Sequence, residues 1–545
     1  MKVRAQTLRD YLSVHSWVGI FCGLLLFIAF YAGAFSMLKP EIRRWAQPQS
    51  HSAGISQDAD RALAQFLHDH PDAKGRLSLR LPDDDRATPL LRLGGRGDAQ
   101  WFELRDDGTL QEAQQTQGSD NVGNFVDHLH RKGGLPLPMR WAEPAIGIVS
   151  LLYGLALVSG VVVLLPSLVK DLFFLRIGKN IKRMWLDVHN LLGIASLPFH
   201  VVIALSAAVF GLHDWIYDAQ DQFIYKDGLK ATVQRDSIPN PTVPREQWLQ
   251  PSELIERMRA QAPNFTPQSL DYNGLGEART TLFVAGTDDT HFKRGPQYGF
   301  AMVHLGTGEI YNRVYLPGSN DSALSTALNS FFSLHFGSYG GDPMRVVYVL
   351  LGLSGALLFY TGNLLWIETR TKRMRKTLEV QERPRHVRLL SNATLGVCLG
   401  CAAALPATIV ASRWSMPWVD DMNAVHQGTF YLLFSGCIAL AMVRGAARTG
   451  AALLWTTALC NALVPLTALA LHFVASPTWL AALHKTHQPG DLFLESLCLL
   501  LAMFFGWLAW RQQHRPVAQP WAHPPASGAD SPAGFTSPQL QIQQD

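Results

Sequence analysis

The sequence predicts a polytopic α-helical membrane protein: a duplicated unit of span, outer α+β module and span that forms a four-helix core, followed by four additional C-terminal transmembrane helices. Three observations predict it. Eight stretches are apolar over roughly the 20 residues a helix needs to cross a bilayer. Lys and Arg gather in every second connection between them. The first two-thirds of the chain carries one pattern twice. Of the 545 residues, 48% are hydrophobic and 17% charged, below the roughly 25% charged of soluble domains.

The spans expected are Trp17–Leu38, Ile146–Leu165, Leu191–Leu212, Val346–Trp366, Leu390–Ala411, Gly428–Val443, Ala451–Val474 and Leu492–Trp510. The apolar core of the first is too long for a secretory signal, and Lys39-Pro40-Glu41 offers no small-residue cleavage site, so it reads as a retained anchor. Lys2, Arg4 and Arg9 precede the first span, and Lys170, Arg176, Lys179, Lys182 and Arg183 precede the third. Arg370, Lys372, Arg373, Arg375 and Lys376 follow the fourth, Arg444 and Arg448 the sixth, Arg511 and Arg515 the eighth. With eight spans all of these fall on one side, which the positive-inside rule makes cytoplasmic together with the N-terminus. The formal net charge of +4 is thereby accounted for by topology, and no nucleic-acid partner is expected. Cys22, Cys398, Cys401, Cys437, Cys460 and Cys498 all lie in apolar spans and read as buried small hydrophobes.

The duplication is visible in the openings of spans one and three. Tyr11-Leu12-Ser13-Val14-His15 lies over Trp185-Leu186-Asp187-Val188-His189, and Gly19-Ile20 over Gly193-Ile194. Leu129-His130 and Leu334-His335 precede spans two and four, each followed by Gly-Gly and then Pro-Met-Arg. Residues 1–166 are the first repeat, with a module at 40–140, and residues 187–367 the second, with a module at 213–340. Basic loops at 167–186 and 368–389 separate these from each other and from a four-span bundle at 390–510. The tail at 511–545, rich in Pro, Ala, Gln and Ser, reads as disordered. Both repeats start on the same side, so they are parallel copies about an axis along the membrane normal. In each module a short amphipathic helix (Asp58–His70, Pro251–Ala262) precedes alternating strands, with hairpin turns at Asp106-Asp107-Gly108 and Gly306-Thr307-Gly308.

Ionisable groups at membrane depth are expensive and usually functional, and the repeat singles out four. His15 and His189 stand near the inner ends of spans one and three, His130 and His335 just beyond the outer ends of spans two and four. Imidazole is a usual axial ligand of haem iron, and a noncovalently held b-type haem needs no cysteine. Two haems, one held by His15 and His189 and one by His130 and His335, would form an electron path through a layer about 30 Å thick. His200 lies eleven residues after His189, some 16 Å along a helix, as a ligand or neighbour of the outer cofactor. His128 is an alternative to His130. Taken singly, each histidine also reads as a helix–helix hydrogen bond. Zinc is the weaker rival because only Asp187 and Asp127 lie close by. His426, His472, His484 and His487 fall on the outer side of the last four spans.

The His-x-x-x-Gly openings, Leu129-His130-Arg131, Leu334-His335-Phe336-Gly337 and the small outer modules resemble the PepSY-associated transmembrane helix family over roughly residues 1–370. That resemblance implies a multi-pass protein of the bacterial inner membrane, with periplasmic modules and a role in iron uptake. The functional analogy is to ferric-siderophore reductases with two haems. The expected partners are then the lipid bilayer, a ferric siderophore or other ferric chelate, and an electron donor that is quinol or a separate reductase, since no flavin or nicotinamide module is recognisable. Reduction would release the metal because hard oxygen ligands hold Fe(II) far less tightly than Fe(III). The alternative is a non-catalytic membrane scaffold or transporter accessory whose modules bind a peptide or protein.

Overall fold

The computed structural model describes residues 4–46, 55–82, 89–94, 99–105, 107–113, 121–166, 176, 181–224, 243–277, 279–288, 290–291, 299–313, 316–318, 323–377, 384–419, 421–473 and 489–514. The tail after 514, His484 and His487, the side chain of His472, and Lys170 and Lys179 lie outside these residues.

Among the described residues, eight helices are long and apolar enough to cross a membrane. The first repeat contributes α1 (Ala5–Ser36), which has no proline to interrupt it, and α5 (Met139–Leu164). Between them come α2 (Lys39–Ala46), with Pro40 tolerated in its first turn, α3 (Ile55–Asp69) and α4 (Val122–Lys132). Asn121 caps α4 through its side chain, and Gly133 ends it in the left-handed conformation at φ 55°, a region that glycine enters without Cβ strain.

The third span is broken. The sequence suggests one helix over 191–212, but α6 (Ile181–Ala195) stops at Ser196 and α7 (Leu197–Phe223) restarts beyond it. Pro198 has no N–H to give the Ile194 carbonyl. Ser196 absorbs the turn at φ −105°, ψ 13°, its hydroxyl donating to Leu192 O at 2.6 Å. The remaining helices are α8 (Pro251–Gln261), α9 (Ala323–Phe336), α10 (Gly341–Thr377), α11 (Arg385–Ser415), α12 (Met422–Arg444), α13 (Ala446–Phe473) and α14 (Pro489–His514). The short apolar run 428–443 thus sits in a 23-residue helix.

In the core, α1 packs on α5 and α10, and α7 on α5. A Cβ on Gly211 of α7 would stand 2.6 Å from the Gly147 Cα of α5. Small residues of this kind let membrane helices approach. The last four spans lie mainly against the first repeat, where Cys398, Cys401 and Cys498 share a core with Tyr31 and Phe35 of α1, and α11 also touches α10 of the second repeat, with Trp366 and His386 rings 6.2 Å apart. All six cysteines are buried and unpaired.

Outside the spans, the modules of both repeats meet in one sheet. Its strands are β1 (Gly75–Arg80), β2 (Leu90–Leu93), β3 (Gln100–Leu104), β4 (Leu110–Ala113), β5 (Thr266–Leu275), β6 (Thr281–Thr287), β7 (Gly299–Val303) and β8 (Ile310–Asn312). The order is β4-β3-β2-β1-β5-β6-β7-β8, each module an antiparallel meander and the order symmetric about the middle. The seam is antiparallel, with Leu77 opposite Tyr272 and Leu79 opposite Leu270. Those four side chains share one core with Phe66 of α3 and Leu254 and Met258 of α8. The two helices are also tied directly: Asp60 accepts from Ser252 N at 2.8 Å and Ser252 Oγ at 2.6 Å, capping the start of α8 from the other repeat. Gly108 (φ 81°) turns the chain between β3 and β4, and Gly308 (φ 72°) between β7 and β8; Asp106 lies outside the described residues.

Candidate functional site

The four recurring histidines come together in two pairs. At the end of the core far from the sheet, the rings of His15 (α1) and His189 (α6) have centroids 6.1 Å apart at 77°. His15 Nδ1 lies 2.8 Å from Ala156 O of α5. His189 Nδ1 lies 3.2 Å from Leu358 O and 3.1 Å from Thr361 Oγ1, both in α10. A carbonyl only accepts, so each ring carries its proton on Nδ1 and keeps the Nε2 lone pair. Thr361 gives its own proton to Leu358 O and accepts from His189. Gly160 and Gly362 face the two rings: a Cβ on Gly160 would stand 2.9 Å from His15, and one on Gly362 3.4 Å from His189.

At the sheet end, the rings of His130 (α4) and His335 (α9) have centroids 6.5 Å apart at 45°. His130 Nδ1 donates to Ala29 O at 2.7 Å. His335 Nδ1 lies 2.6 Å from Ser206 Oγ, and the Ser206 hydroxyl donates to Val202 O at 2.6 Å, so it accepts from His335. Both rings again hold the proton on Nδ1. Burial, and then the neighbouring His130, push His335 down to about 3, so it is neutral at pH 7 with Nε2 available. Along α1, His15 and Ala29 mark the two levels, which are about 21 Å apart at 1.5 Å per residue.

Two imidazoles that bind one metal from opposite sides at about 2.0–2.1 Å each have ring centroids on the order of 6 Å apart. Both pairs have that spacing. Fixing the Nδ1–H on a carbonyl or hydroxyl is also how metal-binding imidazoles are oriented. Among the described residues, no group of three or more His, Cys, Asp or Glu is placed to hold a metal ion. The nearby carboxylates are engaged elsewhere. Asp187 meets Arg176 at 3.0 Å and Arg183 at 3.3 Å, and Asp127 meets Lys39 at 3.5 Å. Two axial nitrogens with no further ligands suit a metal whose equatorial positions come with a macrocycle, as in haem.

His200 belongs to neither pair. It is wholly buried, with ring contacts to Phe30, Tyr153 and Phe199, and neither ring nitrogen has a hydrogen-bond partner. His128 is exposed, while His130 faces His335. His426 is buried in α12, with Nε2 2.9 Å from Ser412 Oγ. Sequence reasoning passed over Ser206, Thr361 and Gly362. The contacts of the histidines set the register of spans two and four, which pairs Ala156 with Leu358 and Gly160 with Gly362. In that register Ser159 and Thr361 are equivalent, and the recurrence of a hydroxyl was the available signal.

Residues 12–369 match the family model described as the PepSY-associated TM region. No curated protein matches the chain.

Proposed function

The chain belongs to the PepSY-associated TM region family, and from that premise we propose that it is a two-haem electron carrier of the bacterial inner membrane that reduces ferric chelates, siderophores among them, at the periplasmic face. The observation that carries this reading is the repeated arrangement of two facing imidazoles, each with Nδ1–H tied and Nε2 free. His15 and His189 would hold one b-type haem, His130 and His335 the other. Bound there, haem supplies one-electron redox chemistry, linking a donor at the far end (quinol or a separate reductase) to a ferric chelate at the sheet end. The protein's own part is orientation and exclusion of water. Ala156, Leu358 and Ala29 carbonyls and the Ser206 hydroxyl fix the ring planes, and Phe30, Tyr153, Phe199 and Phe359 pack the space between the two levels.

Protein purified in detergent is expected to carry two haems per chain, with a Soret band and a reducible α-band, and its reduced form is expected to be reoxidised by a ferric hydroxamate. Preparations without haem from haem-replete cells would overturn the redox reading in favour of a scaffold or transporter accessory.

A further inference from the structure

The duplicated core is complete without the last four spans, yet those spans make a dense set of buried polar contacts on one side of it. The contacts centre on α2, which leads away from α1. Arg413 of α11, 6% exposed, donates to Trp45 O and stacks over the Trp45 ring at 5.7 Å. Trp45 Nε1 donates to Glu495 of α14 at 3.0 Å, and Arg44 lies 3.9 Å from Asp491 of the same helix. Arg345 of α10 donates to Glu41 at 2.7 Å and to Met37 O at 2.8 Å. Buried ion pairs of this kind gain little net stability, but removing one partner leaves the other charge buried and uncompensated.

That arrangement reaches His130. Helix α4 lies on α2 so closely that a Cβ on Gly123 would stand 2.7 Å from Lys39 O. Its other side rests on α12, where Phe125 meets His426 at 5.9 Å and Phe430 at 5.7 Å. Where α4 ends, Tyr431 of α12 donates to Gly134 O at 3.4 Å. The counterpart helix α9, which carries His335, instead packs on α7 through Phe210, with a hydrogen bond from Tyr348 of α10 to Leu334 O.

We infer that the C-terminal bundle is a one-sided brace that fixes α4, and through it the position of His130, with Arg413 and Tyr431 as positioning residues. The brace makes a symmetric pair of ligands mechanically unequal: among the described residues, His130 is held from outside the duplicated core as well as from within it, and the contacts of His335 and its helix named above come from within it. The proposal rests on the two-haem reading for its redox consequence, but not for its mechanical one.

The test uses full-length protein in detergent, with Arg413→Met and, as the milder variant, Tyr431→Phe. Amide hydrogen exchange is followed in residues 122–132 and 323–336, and midpoint potentials are measured for both haems. Exchange in 122–132 should rise several-fold while 323–336 stays unchanged. The potential of the sheet-end haem should shift while that of the far haem holds, which simple loosening of the fold would not produce. Equal change in the two helices, or no change in either, overturns the brace. If Arg413→Met fails to fold, Tyr431→Phe decides by the same criteria. If the wild type binds no haem, the proposed function fails and the exchange comparison still decides this inference.

Discussion

In the first repeat both histidines donate to backbone carbonyls, His15 to Ala156 and His130 to Ala29. In the second repeat both meet hydroxyls: His189 has Thr361 beside the Leu358 carbonyl, and His335 has Ser206 alone. When His15 is laid over His189, Ile203 falls on Ala29, and the Ser206 hydroxyl also approaches Ile203 O at 3.3 Å. A hydroxyl has thus been inserted between the second-repeat imidazole and the carbonyl its twin uses directly. Duplication preserves the need for an acceptor at Nδ1, while the atom that meets it is free to change. It follows that orientation of the first-repeat rings is set by the fold and that of His189 is backed by the Leu358 carbonyl, whereas that of His335 can be removed by changing one side chain, Ser206.

The largest effect breaks the comparison at the level of pairs. On the two-haem proposal, replacing either His15 or His189 by Ala should lower bound haem from two per chain to about one, because each would supply one of the two protein nitrogens on that iron. His335→Ala should also leave about one haem, but the other one, so the two variants should differ in α-band position and midpoint potential. Loss of both haems from a single substitution, in protein that still inserts, would show that the pairs are not independent.

A smaller effect separates the repeats. Ser206→Ala leaves the His335 Nδ1–H buried without an acceptor, and loss of such an orienting partner typically costs about 10- to 100-fold in metal affinity. Thr361→Val leaves the Leu358 carbonyl within reach of His189 and should weaken the far site only marginally. Haem dissociation followed by transfer to an excess of apomyoglobin measures both. Equal effects would mean that the hydroxyls play the same part at both levels and that the carbonyl backup does not matter.

The pairing itself was legible in the sequence because internal duplication placed His15 with His189 and His130 with His335 without any structure. The spans were legible for the same reason that hydropathy works at all: in a bilayer, backbone groups must be satisfied within the helix, so apolar length alone marks it. What stayed hidden depended on partners distant in the chain. Strand β5, the seam of the sheet, carries no strand signal in the sequence because Pro267, Asp271, Asn273 and Gly274 interrupt any alternation. Its burial comes from β1 of the other repeat, with pairing that shifts at Gly75/Arg76. The two modules therefore looked like separate units, the second lacking the strand that joins it to the first. The break at Ser196 was hinted at by Pro198 but needed the backbone to be seen.

The smallest effect expected concerns His200, and it sharpens the comparison by asking whether a fifth histidine belongs to either pair. Its depth suggested a ligand, since it stands between the level of His189 and that of Ser206 on the same broken span. Its surroundings argue otherwise: among the described residues no histidine ring faces it across the 6 Å that separates the members of each pair, and its closest rings are Phe30 and Phe199, each at 5.6 Å. Both nitrogens are buried without partners, a condition that costs about 1–3 kcal/mol per orphaned group. An apolar residue of similar volume removes that cost. His200→Leu should therefore keep two haems per chain and leave both midpoint potentials close to wild type, with thermal stability in detergent unchanged or slightly raised. Loss of one haem in His200→Leu, with His335→Ala retaining two, would make His200 the axial ligand and His335 the bystander. That result would move the sheet-end site deeper into the membrane and end the symmetry on which the pairing rests.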